Sequence, residues 1–471
     1  MRRAVRAGLI GAALLLGGPS GAQPERTEPL HAQVAVERNR AEWTADFAFG
    51  KDSPVWAFHA SGLTRVGSRS WRAASWTVET PGVRLERRGF YDALVAERGT
   101  VPRRVRIRFR PFGEDLLSNY DPALIFTDGG VALFSDQFDL FPVSSAATTE
   151  KLPLQLASGD VEPGLTSVTF RDRHGRILHQ GQRKRTVTLT NGRAYVLFGG
   201  GAPVETPHLA TIVDPQLPAW LKSELVSAST RLLGHYAARL GPRLGDKPTV
   251  MVSWAGPTKG LRSMGGSVLP GLVVMTFEGD AVTRADPAVS NAGRSFIAHE
   301  AAHFWLGETV RAPGPHQAWI MEGGADLLSI RATAALDPRY DGQARLQTLL
   351  DDCVKYVTGK PLRTAIERNE GQAYYACGAM FGLVAERYAG RKGGDFSSFW
   401  RGLIAANRGK VVDQEIWLAE LSRLAGNGKA AGLIRAFLDA ADSDPSLRLA
   451  ALFVEAGVPH RRGPDGRLLL S

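Results

Sequence analysis

In the segment RRVRIRFRPF, Val105, Ile107 and Phe109 alternate with Arg104, Arg106, Arg108 and Arg110. This period of two predicts a half-buried strand with one basic face. In TVTLTNGRAYVLFGGG, Asn191 and Gly192 separate two β-rich runs; both tolerate positive φ, so the stretch predicts a hairpin. Signals of this kind run from Gln23 to Glu205, and GGGAPVETP then breaks the pattern, which places a domain boundary near residue 206. Beyond it, SELVSASTRLLGHYAARLG predicts an amphipathic helix, and KPTVMVSW and GLVVMTFEG predict strands. From Ser290 onward the periodicity is helical, around residues 291–306, 320–335, 372–389, 396–407 and 413–424. The expected class is α+β: a β-sheet domain over residues 23–206, then a mostly helical domain over residues 207–471. The chain carries no internal repeat, coiled coil or low-complexity tract.

Composition narrows this little. With 44% hydrophobic and 22% charged residues in 471, the chain is that of an ordinary soluble protein with room for two or three domains. The opening MRRAVRAGLIGAALLLGGPSGA sets Arg2, Arg3 and Arg6 before a short apolar run and a small-residue exit. That is a secretory signal over residues 1–22, cut after Ala22, and its apolar run is too short and Gly-rich to span a bilayer. The mature chain is therefore expected free in the periplasm or outside the cell, with no membrane anchor. Loss of the three arginines takes the formal charge from +10 to +7. The basic strand face reads as a solvated surface, and no nucleic-acid partner is expected. Cys353 and Cys377 are the only cysteines; an oxidising compartment permits them to pair, and two separate buried thiols are the alternative.

The candidate chemistry lies in FIAHEAAHFWLG, residues 296–307. Ser290 is placed to cap a helix that runs through Phe296, Ile297, Ala301 and Phe304 and ends at Gly307. Four residues apart on one helical face, His299 and His303 direct two imidazoles at one point, a spacing suited to zinc. Glu300 is offset round the helix, where it is no ligand but can reach a water at the metal. Glu322 in QAWIMEGGADLLSIRATAAL offers a third ligand, with eighteen residues between it and His303 and with RAPGPH to turn the chain between two helices. Gly323 and Gly324 would permit close backbone approach to the first helix.

This composite resembles the aminopeptidase N family of gluzincin zinc metallopeptidases. HEAAHFWLGETV followed by WIMEGGAD is similar to the family pattern His-Glu-x-x-His-x-Trp-x-Gly with its later glutamate, and Trp305, Gly307, Trp319 and Gly323 fall at matching positions. The resemblance implies a thermolysin-like catalytic domain. It implies one zinc per chain held by His299, His303 and Glu322, with Glu300 as the base. In QAYYACGAMFGLVAERY it implies that Tyr375, three residues before Gly378, stabilises the oxyanion and Tyr374 does not. The family's Gly-x-Met-Glu-Asn strand corresponds to GGSVLPGLVVMTFEG, so Gly265, Gly266, Ser267 and Val268 would line the substrate groove. Val268 stands where the family's amine-binding glutamate belongs. Glu278 is either a substitute for it or a surface carboxylate at a strand end. No counterpart of the long C-terminal helical domain of large family members is expected.

The expected function is aminopeptidase N-like hydrolysis of peptide bonds in an exported protein, with peptide or protein as substrate. Two alternatives stand beside it. One is a zinc hydrolase of the same fold that needs no free N-terminus, acting on internal bonds or a cell-wall peptide; the other is a non-catalytic peptide-binding module. Side-chain preference and oligomeric state have no sequence signal.

Overall fold

The computed structural model describes residues 29–471 apart from 115, 118, 119, 155, 157 and 158. The leader expected over residues 1–22 lies outside the described residues. Five strands carry the amino-terminal architecture: β1 (Leu30–Asn39), β2 (Glu42–Phe49), β3 (Arg104–Phe109), β4 (Leu165–Asp172) and β5 (Thr186–Thr190). With Trp76–Val78 at one edge they form a six-stranded sheet in the order β5, β4, β1, β2, β3. The alternation of β3 is realised: its three apolar residues are buried and its arginines exposed. The basic face is answered by acids, since Arg106 pairs with Asp46 and Glu79, and Arg108 with Glu79.

The expected hairpin at Asn191-Gly192 does not form. β5 pairs with β4, whereas β6 (Tyr195–Phe198) pairs with Val131–Phe134 and Ile177–His179 in a separate five-stranded sheet. Asn191 does take a positive φ of 45°. Its backbone N–H donates to Thr166 O and its side chain accepts from Thr166 N, so the turn ties β5 to the start of β4 and sends the chain into the next sheet.

A further sheet is built from β7 (Ala210–Val213), β8 (Thr249–Trp254), β9 (Ser263–Leu269) and β10 (Leu272–Glu278). The order is β7, β8, β10, β9, with Val204–Glu205 outside β7 and β9 at the other edge. β7, β8 and β10 are parallel and β9 is antiparallel to β10. All six residues of β8 are buried, as a strand covered on both faces requires. One face, with Ile212, Met251, Leu272 and Val274, packs on Phe134, Tyr195 and Leu197 of the front sheet. The other, with Val250, Val252, Val273 and Met275, packs on the helices.

Those helices are α1 (Ala219–Leu240), α2 (Pro287–Ala302), α3 (Trp319–Leu336), α4 (Gly342–Val357), α5 (Gln372–Gly390), α6 (Phe396–Asn407), α7 (Gln414–Ala425), α8 (Lys429–Asp439) and α9 (Ser446–Ala456). α4, α8 and α9 add to the expected set. In α4, Leu346, Leu349, Leu350, Cys353 and Val357 bury one stripe, and Asp341 caps the start. Cys353 of α4 and Cys377 of α5 form a disulfide, with 4.8 Å between their Cα atoms. The architecture is α+β, a sheet-rich amino-terminal region followed by a mostly helical one. Among the described residues no helix is long and apolar enough to cross a membrane.

Candidate active site

Helix α2 begins earlier and ends earlier than the sequence suggests. Asp286, not Ser290, is its N-cap, accepting from Ala288 N, and Pro287 occupies the first turn, where its missing N–H costs nothing. The helix stops at Ala302 with His303 as its C-cap, and Leu306–Gly307 is already a short strand paired with Val310–Arg311. Two buried donors fix the helix in place: the Tyr236 hydroxyl of α1 donates to Ala298 O at 2.8 Å, and Trp305 Nε1 to Gly241 O at 2.8 Å.

His299 and His303 therefore leave the last turn of α2 and the residue after it. Each ring is held by its Nδ1. That of His299 donates to Asp326 at 2.8 Å, and that of His303 to Leu306 O at 3.0 Å. The two Nε2 atoms are left facing each other at 3.2 Å, and each lies 3.3 Å from the same oxygen of Glu322. All three donor atoms fall within 4.8 Å of one another. Two imidazole nitrogens and one carboxylate oxygen at this separation are a donor set that fits zinc and leaves a position open.

Glu322 is brought there by a close helix crossing, though not the one Gly323 and Gly324 suggest. A Cβ on Gly323 would lie 2.2 Å from the backbone of Gly378 in α5, and one on Gly378 would lie 2.1 Å from Trp319 O. Thus Gly323 meets the Tyr375 helix rather than α2, while Gly324 makes room for Leu306 and Trp400. The crossing places Tyr375 against the ligand set. Its ring stacks on His299 with centroids 5.5 Å apart, and its hydroxyl is close enough to Glu322 to feel its charge. Tyr374 points elsewhere and donates to Arg363 O at 3.0 Å.

The electrostatics follow from enclosure. Burial disfavours a charged His299, but the hydrogen bonds to Asp326 and Glu322 outweigh it and hold its pKa well above the usual imidazole range. His303 is raised too, with burial opposed chiefly by the Glu322 charge. Burial would push Glu322 up, yet the two histidines hold it well below the usual carboxylate range. Glu300 goes the other way: burial raises it, only partly offset by His299 and His303. Adjacent carboxylates are thus driven apart, one kept anionic and one made a better proton acceptor. Burial also raises Tyr375 well above its ordinary value, reinforced by Glu322 and Glu300, so its hydroxyl stays protonated.

Strand β9 carries Gly265, Gly266, Ser267 and Val268 along the sheet edge beside α2. A Cβ on Gly266 would sit 2.5 Å from the Phe296 ring, so glycine there lets the strand lie directly against the site helix. The Val268 side chain packs on the helical core. Glu278 stands opposite Ser263 at the far end of the β9–β10 pair and binds the Thr258 hydroxyl, five positions along from Val268.

Asp326 is a site residue that the ligand spacing did not single out. It lies four residues after Glu322, hence on the same helical face, and that spacing was its available signal. The second is Tyr120 from the front half, whose hydroxyl donates to Val268 O at 3.0 Å; no local pattern marks it.

No protein-family model and no curated protein matches this chain. Solved structures do. An aminopeptidase N family protein from Idiomarina loihiensis superposes with a TM-score of 0.51 at 9% identity, over 80% of this chain and 70% of that one. An M1 zinc metallopeptidase from Deinococcus radiodurans gives 0.43 at 17% identity, over 88% and 94%. Native leukotriene A4 hydrolase from Saccharomyces cerevisiae gives 0.46 at 13%, over 86% and 66%. The class these results define is one of fold: this chain has the fold of the Idiomarina aminopeptidase N family protein.

Proposed function

We propose that the chain is an exported zinc-dependent peptidase that hydrolyses peptide bonds, with one zinc per chain and polypeptide as its substrate. The observation that carries this reading is the convergence of His299, His303 and Glu322 on one point, with Glu300 and Tyr375 at its margin. The fold shared with the Idiomarina aminopeptidase N family protein supports it. So does the apolar, Arg-rich opening segment, which accounts for export to the periplasm or beyond.

His299, His303 and Glu322 would hold the zinc, which when bound supplies Lewis acidity. Asp326 and Leu306 O orient the two imidazoles so that Nε2 of each points inward. Glu300, its proton affinity raised by burial, takes a proton from the attacking water and returns it to the departing amine. Tyr375, kept protonated, donates to the carbonyl oxygen as negative charge gathers on it. Glu300→Gln should bind about one zinc per chain, as the parent protein does, while hydrolysis of a fluorogenic peptide falls by about 10²–10⁴-fold. Metal-free parent protein, or full activity in the variant, overturns the reading.

A second reading is favoured by Val268. With an apolar residue where an ammonium-binding carboxylate is expected, the groove would accept peptides whose amino terminus is blocked. Cleavage of an N-acetylated peptide alongside its free counterpart supports this reading, and cleavage of the free one alone refutes it. A zinc-loaded protein that binds both and cuts neither is a peptide-binding module.

A further inference from the structure

This inference rests on the peptidase reading above and concerns where along a peptide the site cuts. β9 is an edge strand, and an edge offers its backbone to an added strand. Because Val268 O accepts from a residue outside the sheet, the backbone groups of Val268 point away from β10. With the two-residue alternation of an antiparallel pair, those of Gly266 and Met264 share that outer edge. Gly266 is the residue pressed against Phe296, one turn of α2 before His299 and Glu300. The usable edge thus lies beside the site at Gly266 and is already taken at Val268.

What takes it is firmly held. The Tyr120 ring stacks on Phe134 with centroids 4.9 Å apart, and the Arg193 guanidinium lies over the ring, 5.7 Å from its centre. Arg193 is in turn paired with Asp136. The Tyr120 hydroxyl also lies close to Ser267 and near enough to Glu300 to feel its charge. A tyrosine from the front half therefore stands across the end of the groove, braced by its own sheet.

We propose that Tyr120 is a specificity-determining residue that closes the groove at Val268, so that the site cuts near a peptide's amino end by steric stop and without reading the charge of the amine. Antiparallel addition to β9, the more stable pairing, points the amino end of the peptide toward Val268 and Tyr120. From Gly266 to Val268 is two strand residues, about 7 Å, which leaves room for about one or two residues before the stop. The substrate class is then short amino-terminal segments, blocked or free, rather than internal bonds.

The test uses full-length zinc-loaded protein and peptides sharing one cleavable sequence, with a free or acetylated amino terminus, or with four extra residues ahead of it. Mass spectrometry maps the cut. In the parent protein every cut should fall about one or two residues from the end present, acetylated or not, and Tyr120→Ala should add cuts deeper in the extended peptide. Cuts in the middle of peptides by the parent protein, or an unchanged map in Tyr120→Ala, overturn the proposal. Peptide binding in a Glu300→Gln background separates the stop from the chemistry. There Tyr120→Ala should raise the affinity ratio of extended to short peptide by about tenfold, even if no turnover occurs in any version, and an unchanged ratio overturns the stop on its own. If Tyr120→Ala does not fold, Tyr120→Leu keeps the packing on Phe134 and makes the same comparison with a shorter obstruction.

Discussion

Each half of the molecule buries a cluster of charged groups, and the two are built to opposite ends. In the front half, Arg72 and Asp92 are 0% and 1% exposed and lie 3.2 Å apart. The guanidinium also donates to Ala60 O and Gln137 O, and sits 4.2 Å from the Phe58 ring and 4.5 Å from that of Trp71. Arg87 supplies a second cation to Asp92. Burial lowers Arg72 only to about 10, so it stays charged with its partners spread around it. In the helical half, two imidazole nitrogens and a carboxylate oxygen are aimed at one another. Their remaining polar atoms are spent on holding that aim, as His299 does through Asp326. Burial of charge is common to both; convergence of donor atoms on a shared point distinguishes the second.

The largest effect expected from breaking this contrast falls on the front cluster. Arg72→Met leaves Asp92 enclosed with only Arg87, and removing one partner of a buried pair costs about 3–5 kcal/mol. Denaturant unfolding should show that loss while zinc content per folded chain stays unchanged. Arg72→Met combined with Asp92→Leu should recover part of it, since an apolar replacement of the whole pair removes the unpaired charge. If the double variant is less stable than Arg72→Met alone, the pair is not the isolated structural unit described.

The site cluster should respond the other way round. Asp326→Ala removes the acceptor that fixes His299, which should weaken zinc binding by about 10–100-fold in competition with a chelator. Its stability without metal should change less than that of Arg72→Met. Equal melting of the two variants, with zinc affinity intact, would make Asp326 a structural residue and erase the distinction.

The parts of this site readable from sequence were those whose geometry is local. His299 and His303 share a helical face by spacing alone, and β3 alternates because only one of its faces is buried. Where partners are distant the pattern is silent or misleading. Gly323 signals a close approach, but whether it meets α2 or α5 depends on how three helices cross. Asn191 takes the backbone a tight turn needs, yet Thr166 captures its hydrogen bonds and the two flanking strands part. β8 shows no alternation because both its faces are covered. Tyr120 reaches Val268 across 148 positions of chain, and nothing near either residue encodes that meeting.

Glu308 tests the comparison at its weakest point, because it is a half-buried acid that is neither fully compensated nor part of a convergent set. It accepts from Gly271 N at 2.7 Å, holding the β9–β10 turn to the segment after α2. Burial raises its pKa to about 7, more than the Gly271 bond and the Arg243 charge can offset. A folded-state pKa above the ordinary 4.5 means the fold prefers the protonated acid. That contribution is complete below about pH 4.5 and is lost as pH rises through about 7. Glu308→Gln keeps an acceptor for Gly271 N but cannot ionise. The stability of the parent relative to this variant should therefore fall between about pH 4.5 and pH 7, by on the order of 1 kcal/mol once solvent screening is allowed for. A difference that stays level across that window would mean that Arg243 compensates Glu308 as fully as Arg72 is compensated by Asp92, and that this acid belongs with the front cluster.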